Sequence, residues 1–210
     1  TDDLSVRGEH NLANALAAVA AAKLMGVGNE AIASALSSFK GVSHRLEKVL
    51  EKDGVIYIDD SKATNVDSCL KAVAGLDRET VLLVGGKEKG EQFGPLFSAL
   101  KRSRVVHAVL FGECAFRLMN AAMEENFTAV TLCRPFEVAV NVACLTARPG
   151  QNVLLSPAAA SFDEFRSFEE RGEKFASLVK AYAEPSASEA AAGDADGERG
   201  ETGKEDRSLD

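Results

Sequence analysis

The strongest constraint on the fold is a regular alternation between short apolar runs and amphipathic stretches, which begins at residue 55 and continues to residue 182. The apolar runs read VIYID, VLLVGG, VVHAVLFG, AVTL and NVLLS. The amphipathic stretches that follow them cover residues 66–76, 95–103, 113–125, 136–147 and 163–182. Strands that alternate with helices across short connections form a parallel sheet with helices on both faces. The sequence therefore predicts an α/β fold with a mostly parallel sheet.

Two shorter helices are predicted before this alternation begins. The segments NLANALAAVAAAKLMGVG and NEAIASALSSF carry alanine and leucine at helical spacing, and the first of them ends in a glycine-containing stop. With 210 residues, of which 46% are hydrophobic, the chain is long enough for one medium globular domain with extra elements.

Charge and composition exclude several classes of function. The net charge is −8, but nine acidic and three basic side chains lie in residues 184–210, so the rest of the chain is nearly neutral. Nothing in this balance favours nucleic-acid binding. No apolar run reaches the length of a membrane span, so no membrane partner is expected. Four cysteines at no metal-binding spacing indicate buried free thiols in a reducing compartment, which predicts a cytoplasmic protein.

Polar side chains are concentrated where three of the predicted strands end. The segment DDSKATN follows the first strand, GGKEKG the second and SPAAASFDEF the last. Because ligands of open parallel sheets bind at the carboxyl ends of the strands, these segments predict one pocket. The polar residues in question are Asp60, Lys62, Thr64, Lys87, Lys89, Ser156 and Ser161. A pocket with both signs of charge and several hydroxyls suits a ligand that carries an acidic group and an amine.

Each of these motifs also has a purely structural interpretation. On its own, Gly85–Gly86 is better explained as a plain turn, because no glycine-rich phosphate-binding pattern is present. Ser161 and Asp163 can cap the last helix through hydrogen bonds to its first free N–H groups. Asn11 and Asn14 lie one turn apart on a predicted helix and, taken alone, describe a solvated face.

The motifs taken together resemble a known family. GEHNLANALAA, HRLE, DDSKATN, LLVGGKEKG and LLSPAAASFDEFRSFEERGEKF occur in this order and resemble the back half of the Mur ligases, from about residue 8 to residue 182. DSKATN together with the SPAAASFDEF block most resembles the family member that adds D-glutamate. Two departures are present: Ala159 stands where a cysteine is common, and the acidic tail is foreign to the family.

The resemblance implies a domain organisation. Residues 1–41 would be the last helices of the central ATP-binding domain, and residues 42–183 the carboxyl-terminal domain with a Rossmann-like fold. Residues 184–210 contain no large apolar side chain except Leu209, so they are predicted to form a disordered acidic tail. The domain for the uridine nucleotide, the phosphate loop, the carbamylated lysine and the Mg²⁺ ligands of the family are expected outside this chain.

The resemblance also implies a reaction. ATP would convert the L-alanine carboxylate of UDP-N-acetylmuramoyl-L-alanine into an acyl phosphate, which the amine of D-glutamate attacks, as a step of peptidoglycan precursor synthesis for the cell wall. Phosphoryl transfer of this kind depends on positioning and charge neutralisation by cationic side chains and metal. This chain alone is expected to be inactive, and a monomer is expected.

By the same resemblance, individual residues receive roles. Asp60 and Arg45 would hold the ribose and phosphate end of ATP, since the planar guanidinium fits phosphate oxygens. Lys62 would lie close to the transferred phosphate, and these three are the predicted catalytic residues. Asn11 and Asn14 would contact the adenine.

A second group of residues would bind the amino acid. Thr64 and Lys89 would bind the α-carboxylate of D-glutamate, while Ser161 and the backbone around Phe168 would bind its γ-carboxylate. Within this chain no metal ligand is expected. Two alternatives stay open: a related ligase of the Mur or folylpolyglutamate type that adds L-glutamate or another amino acid, and a nonenzymatic Rossmann-like module that binds a small anion.

Overall fold

The computed structural model describes residues 9–39 and 41–184, with side chains from residue 12 onward. The described strands are β1 (Glu47–Lys52), β2 (Val55–Asp59), β3 (Thr80–Gly85), β4 (Val105–Phe111), β5 (Val130–Leu132) and β6 (Asn152–Leu155). The described helices are α1 (Glu9–Leu24), α2 (Asn29–Ser38), α3 (Val66–Ala74), α4 (Gly94–Leu100), α5 (Ala115–Glu124), α6 (Phe136–Thr146) and α7 (Phe168–Ala183). The predicted tail falls almost entirely on residues 185–210, which lie outside the described residues.

The strands form one sheet in the order β1-β2-β6-β3-β4-β5. All neighbouring strands are parallel except β1 and β2, which are antiparallel. Asp59 at the end of β2 pairs with Leu155 at the end of β6, and Gly85 of β3 pairs with Phe111 of β4. The predicted α/β fold with a mostly parallel sheet is confirmed, and the carboxyl ends of the five parallel strands lie on the same side of it.

Strand β1 is absent from the predicted elements, although the sequence carries a signal for it. Asp53 and Gly54 form the two-residue connection from β1 to β2, and both have positive φ angles, of 52° and 77°. This is the geometry that Asp-Gly supplies in a tight hairpin. The half-exposed pattern of β1 lacks the apolar run that identified the other strands.

The core consists of two layers, one on each face of the sheet. Leu82 and Val84 of β3 pack against helices α3, α4 and α5, while Val81 and Leu83 of the same strand pack against α6 and α7. All four side chains are fully buried. A strand buried on both faces reads as a continuous apolar run, which is why VLLVGG was recognisable. The predicted layer of helices on both faces is confirmed.

Other predictions about burial can be checked in the described part of the chain. All four cysteines are buried and free, as predicted. Among the described helices, none combines the length and the hydropathy that a membrane crossing requires. Helices α1 and α2 differ from the rest, because none of their described side chains is buried. Leu24 at the end of α1 and Met25 directly after it are 91% and 83% exposed.

Candidate functional site

The candidate site lies at the carboxyl ends of the strands, where the chain leaves β2 and turns into α3. The Asp60 N–H donates to the Leu155 carbonyl at 2.8 Å, and the Ala63 N–H donates to the Asp60 carbonyl at 2.9 Å. Asn65 then caps α3 by accepting a hydrogen bond from the Ser68 N–H at 2.9 Å. These bonds fix the segment DDSKATN as a tight connection between the sheet and the helix.

A cavity of about 230 Å³ opens beside this connection. It is lined by Asn14, Arg45, Leu46, Asp60, Lys62, Ala63, Ser68, Lys71 and Ala72. The structure thus brings together Asn14, Arg45, Asp60 and Lys62, which were predicted from four separate positions of the sequence. Three cationic side chains and one carboxylate line the cavity, so that an anionic ligand is favoured electrostatically. The side chain of Asn11 lies outside the described residues.

Of the polar residues that line this cavity, sequence reasoning missed Ser68 and Lys71. They lie on the first turns of α3, three positions apart, and therefore on one face of the helix. Lys71 also forms an exposed ion pair with Asp67 at 2.8 Å. The signal that could have identified them is their position directly after the polar strand end, on the helix that continues from it.

Asp60 is buried at the base of the cavity, with 5% exposure. Its Oδ2 accepts a hydrogen bond from the Ser156 hydroxyl at 2.7 Å, and its Oδ1 accepts one from the Leu46 N–H at 3.3 Å. Burial raises the pKa of Asp60 to about 6, although both hydrogen bonds and the nearby Arg45 favour the ionised form. Asp60 therefore changes charge within a pH range that solution experiments can reach.

Asp59, one residue earlier, forms a second buried polar contact that the sequence did not indicate. Its Oδ2 lies 2.7 Å from His44 Nδ1, and its Oδ1 accepts from the Ser61 N–H at 2.8 Å. Burial raises the pKa of Asp59, against the effect of the His44 contact. This pair packs against Gly172 of α7, where a Cβ would lie 2.3 Å from His44 Nδ1 and 2.5 Å from Asp59 Oδ2.

Arg171 is a fully buried cation in the first turn of α7. Its guanidinium donates to the hydroxyl and the carbonyl of Ser61, both at 2.9 Å, and to the carbonyls of Ala159 and Ala160 at 3.1 to 3.2 Å. Burial lowers the pKa of Arg171 to about 10. Sequence reasoning missed this residue. The pattern that could have identified it is the four-residue spacing to the buried Phe175 and Val179, which places Arg171 on the buried face of the helix.

Lys62 contacts Phe168, the first residue of α7. The Lys62 Nζ lies 4.3 Å from the centroid of the Phe168 ring, and the Phe168 carbonyl accepts a hydrogen bond from the Ser61 hydroxyl at 2.8 Å. Thr64 is half-buried in the same connection, where its N–H donates to the Lys62 carbonyl at 2.9 Å. The structure therefore brings together Lys62, Thr64 and Phe168 of the predicted residues.

The side chains of Lys89 and Ser161 make no hydrogen bond to this group in the described chain. Lys89 is exposed in the loop after β3, and no described residue bonds to its amine. Ser161 is buried in the loop after β6, and its hydroxyl makes no hydrogen bond to the described chain. Neither residue lines the 230 Å³ cavity. Their assignment to D-glutamate stays a prediction.

The structure also tests the purely structural interpretations of these loops. The helix cap expected from Ser161 and Asp163 is wrong, because α7 begins only at Phe168 and is capped by Ser167, whose hydroxyl accepts from the Glu170 N–H. The Asp163 carboxylate instead accepts from the Glu113 N–H at 3.0 Å. The loop after β6 is therefore hydrogen-bonded to the loop after β4.

Gly85 and Gly86 are more than a plain turn, because other backbone segments approach both glycines closely. Their φ angles are 149° and 139°. A Cβ added at Gly85 would lie 2.0 Å from the Phe111 carbonyl oxygen, and a Cβ added at Gly86 would lie 2.1 Å from the Ala160 carbonyl oxygen. Only glycine fits such an approach of one backbone to another.

Comparison with known proteins decides the family. Residues 44–159, more than half of the chain, match the family model described as Mur ligase, glutamate ligase domain. The chain belongs to the Mur ligase family. The matched range contains the connection between β2 and α3 and most of the cavity lining described above.

Curated relatives within the family are similar over most of this chain. The UDP-N-acetylmuramoylalanine–D-glutamate ligase of Pelotomaculum thermopropionicum is 49% identical over 179 residues, which cover 85% of this chain and 39% of that protein. The ligase of the same name from Alkaliphilus metalliredigens is 43% identical over 178 residues, with the same coverage. The chain thus spans about two fifths of the length of these relatives.

Solved structures share the fold at low sequence identity. A UDP-N-acetylmuramate–alanine ligase from Thermotoga maritima has a TM-score of 0.64 at 16% identity and covers 85% of this chain and 40% of its own. A folylpolyglutamate synthase from Mycobacterium tuberculosis has a TM-score of 0.62 at 16% identity and covers 82% of this chain and 41% of its own. The fold is therefore common to family members and to folylpolyglutamate synthases.

Proposed function

We propose that the chain is the carboxyl-terminal part of a cytoplasmic, ATP-dependent ligase that adds D-glutamate to UDP-N-acetylmuramoyl-L-alanine in peptidoglycan precursor synthesis. The observation that carries this proposal is the single cavity lined by Asn14, Arg45, Asp60 and Lys62. Relatives that are 42–49% identical over most of the chain and bear the name of this ligase support the choice of D-glutamate.

The chemistry of the cavity fits one end of ATP. Arg45 and Lys62 would neutralise phosphate charge, with the planar guanidinium binding two oxygens at once. Asp60, ionised above a pKa of about 6, can accept hydrogen bonds from ribose hydroxyls. Asn14, on α1, would contact the adenine. In support of a nucleotide site, the Mycobacterium tuberculosis folylpolyglutamate synthase with this fold was solved as a complex with ADP and AMPPCP.

The described residues contain no group of three His, Cys, Asp or Glu side chains that could hold a metal ion. From the family resemblance, we place the metal ligands of the ligase in its central domain, and no role of the residues below depends on the ion.

D-Glutamate would bind along the strand ends next to the ATP site. Thr64 and Lys89 would bind its α-carboxylate, and Ser161 with the Phe168 backbone would bind its γ-carboxylate. Two features of the structure support this arrangement: the half-buried Thr64 next to Lys62, and the hydroxyl of Ser161, which makes no hydrogen bond to the described chain and keeps some access to solvent. An exposed Lys89 remains able to reach a ligand.

In the reaction, ATP supplies the phosphoryl group that activates a carboxylate. Lys62, in contact with the Phe168 ring, would keep a positive charge close to that phosphoryl group. The binding loops would aim the D-glutamate amine, so that the contribution of this chain is positioning and charge neutralisation. The chain alone should bind ligands weakly as a monomer and not turn over.

The exposure of α1 and α2 supports the assignment of residues 1–41 to the central ATP-binding domain. Leu16, Leu24 and Met25 are 60%, 91% and 83% exposed, whereas α3 to α7 each contribute residues to one of the two core layers. Large apolar side chains of a helix are normally buried against a neighbouring element. Residues 42–183 would then form the carboxyl-terminal domain.

A ligase of the folylpolyglutamate type is the second candidate, because a folylpolyglutamate synthase shares the fold at a TM-score of 0.62. The test is an assay of the intact ligase that contains this chain, with UDP-N-acetylmuramoyl-L-alanine and ATP, against D-glutamate, L-glutamate and D-alanine. Product with D-glutamate alone is the expected result. Product with L-glutamate and no product with D-glutamate would contradict the proposal, and turnover by this chain alone would contradict the division of roles between domains.

A further inference from the structure

The contact between His44 and Asp59 has no role in the function proposed above, yet it adjoins Arg45 in the chain. Asp59 is buried, and its two carboxylate oxygens bind different segments: Oδ2 lies 2.7 Å from His44 Nδ1, and Oδ1 accepts from the Ser61 N–H at 2.8 Å. One carboxylate therefore links the loop that carries Arg45 to the connection that carries Lys62.

The backbone on both sides of Arg45 has an uncommon conformation. His44 and Leu46 have φ angles of 61° and 47°, a region that residues other than glycine rarely adopt and that is least favourable for bulky side chains. The surrounding structure maintains it, since the His44 carbonyl accepts from the Lys62 N–H at 3.0 Å and the Leu46 N–H donates to Asp60. The loop is therefore held by bonds to the connection after β2.

Arg45 itself depends on this backbone for its direction. Its side chain is exposed on the wall of the cavity and makes no hydrogen bond or ion pair within the described chain. Gly172 provides the second support of the His44–Asp59 contact, because any side chain at that position of α7 would overlap both partners. The carboxylate of Asp59 and the backbone of α7 at Gly172 therefore both contact His44, the residue that precedes Arg45 in the loop.

We propose that His44 and Asp59 are a positioning pair that holds the loop around Arg45 in its left-handed conformation and so aims the guanidinium into the nucleotide cavity. The role of Arg45 toward ATP rests on the function proposed above; the effect of the pair on the loop does not. His44 touches neither ligand in this scheme, and its ring also packs edge-on against Phe168, with 6.2 Å between the ring centroids.

The test uses two substitutions at His44 that both remove the ring contact with Phe168 and differ in whether a hydrogen bond to Asp59 can form. His44→Gly tolerates the positive φ and loses the bond to Asp59, whereas His44→Asn also tolerates it and places an amide donor where Nδ1 lies. His107→Asn is the matched control, because His107 is a half-buried histidine bonded to Thr131 on β4 and β5, away from the cavity.

The first measurement is amide hydrogen exchange of this chain without ligand. His44→Gly and Asp59→Ala should accelerate exchange at Leu46 and Lys62 by about tenfold or more, as expected when a bonded loop opens locally. His44→Asn and His107→Asn should leave both amides unchanged. Unchanged exchange at Leu46 and Lys62 in His44→Gly would overturn the positioning pair, whatever the chain binds.

The second measurement is steady-state kinetics of the intact ligase. His44→Gly should raise KM for ATP by about tenfold, the effect of losing one contact to a charged group, while KM for D-glutamate stays constant. The double variant His44→Gly with Arg45→Ala should be no worse than Arg45→Ala, because residues that act through one another are not additive. Multiplicative losses would overturn the inference. If Arg45→Ala itself left KM for ATP unchanged, the proposed nucleotide site would fail instead, and the exchange result would still decide the pair.

Discussion

Arg171 donates two hydrogen bonds to Ser61, from Nε to the hydroxyl and from Nη2 to the carbonyl, each at 2.9 Å. The same guanidinium bonds to the carbonyls of Ala159 and Ala160, so one side chain of α7 joins the loop after β2 to the loop after β6. Lys62 follows directly on one of these loops and Ser161 on the other. The relative position of the two predicted ligand sites therefore depends on Arg171.

Arg171→Lys should destabilise the chain despite the conserved charge. A lysine amine lacks the planar fork and cannot reach all four acceptors, so buried carbonyls lose their donors. We expect the free energy of unfolding to fall by about 3 kcal/mol, measured by urea denaturation monitored by circular dichroism. Arg166→Lys, at an exposed position just before α7, is the control and should have no effect. A loss no larger than that of the control would mean that other contacts hold the two loops.

Gly172→Ala should also destabilise the chain, against the intrinsic preference of helices. Alanine is favoured over glycine within a helix by about 1 kcal/mol. Here the added Cβ would overlap His44 and Asp59, and overlaps of this kind cost about 1–3 kcal/mol or more. A lower thermal midpoint for Gly172→Ala is expected, while Ser177→Ala on the exposed face of the same helix should keep or raise it. An increase for Gly172→Ala would show that the contact with α7 is loose.

Asp60 should make the stability of the chain depend on pH in an unusual direction. Its pKa rises from 3.8 in the unfolded state to about 6 in the folded state, so folding retains a proton between these values. The stabilisation is complete below pH 4 and is lost as pH rises through about 6, at roughly 1.4 kcal/mol for each unit of pKa shift. Asp59, whose pKa burial also raises, contributes with the same sign.

Asp60→Asn removes the titrating group and keeps the shape of the side chain. Its amide can accept from the Leu46 N–H and donate to Ser156, so stability should rise above pH 7 and its slope between pH 4 and 6 should decrease. Urea denaturation at several pH values measures both quantities. Asp67→Asn, at an exposed position of α3, should leave the slope unchanged. An equal slope in Asp60→Asn and the native chain would contradict the assignment.

Substitutions in the intact ligase should separate nucleotide contacts from amino-acid contacts. Arg45→Ala should raise KM for ATP, because loss of a charged contact costs about 1.5–3 kcal/mol. Lys89→Ala and Ser161→Ala should raise KM for D-glutamate and leave KM for ATP unchanged. Initial rates with one substrate varied at a time measure these constants. An effect of Arg45→Ala on D-glutamate alone would reverse the assignment.

The fold was largely predictable because the physical signals were local. Strands β2, β3, β4 and β6 are apolar runs whose burial follows from their position inside the sheet. Strand β1 was missed because its residues are only partly buried, and the start of α7 was placed too early because Ser161 and Asp163 look like capping residues. In both cases a local signal was present but overlooked: the Asp53–Gly54 turn for β1 and the Ser167 cap for α7.

The cavity was predictable in part, for a related reason. Asp60 and Lys62 are conspicuous because they end an apolar strand, and the topology then brings them close to Arg45 and Asn14. Arg171 and Ser61, in contrast, are 110 positions apart, and nothing in either segment indicates a bond between them. A buried polar contact of this kind becomes visible only when the three-dimensional arrangement is known.

The two outermost strands have a consequence for how copies of the protein behave toward one another. An unpaired strand backbone is a template for intermolecular sheet growth unless charge, twist or shortness prevents it. On one side β1 carries four charged residues in EKVLEK, with Lys48 and Glu51 paired at 2.7 Å, and its register is interrupted between Lys48 and Leu50. On the other side β5 offers only the three residues Val130–Leu132. Both borders of the sheet thus give a second molecule little to pair with, which protects the chain from edge-to-edge aggregation.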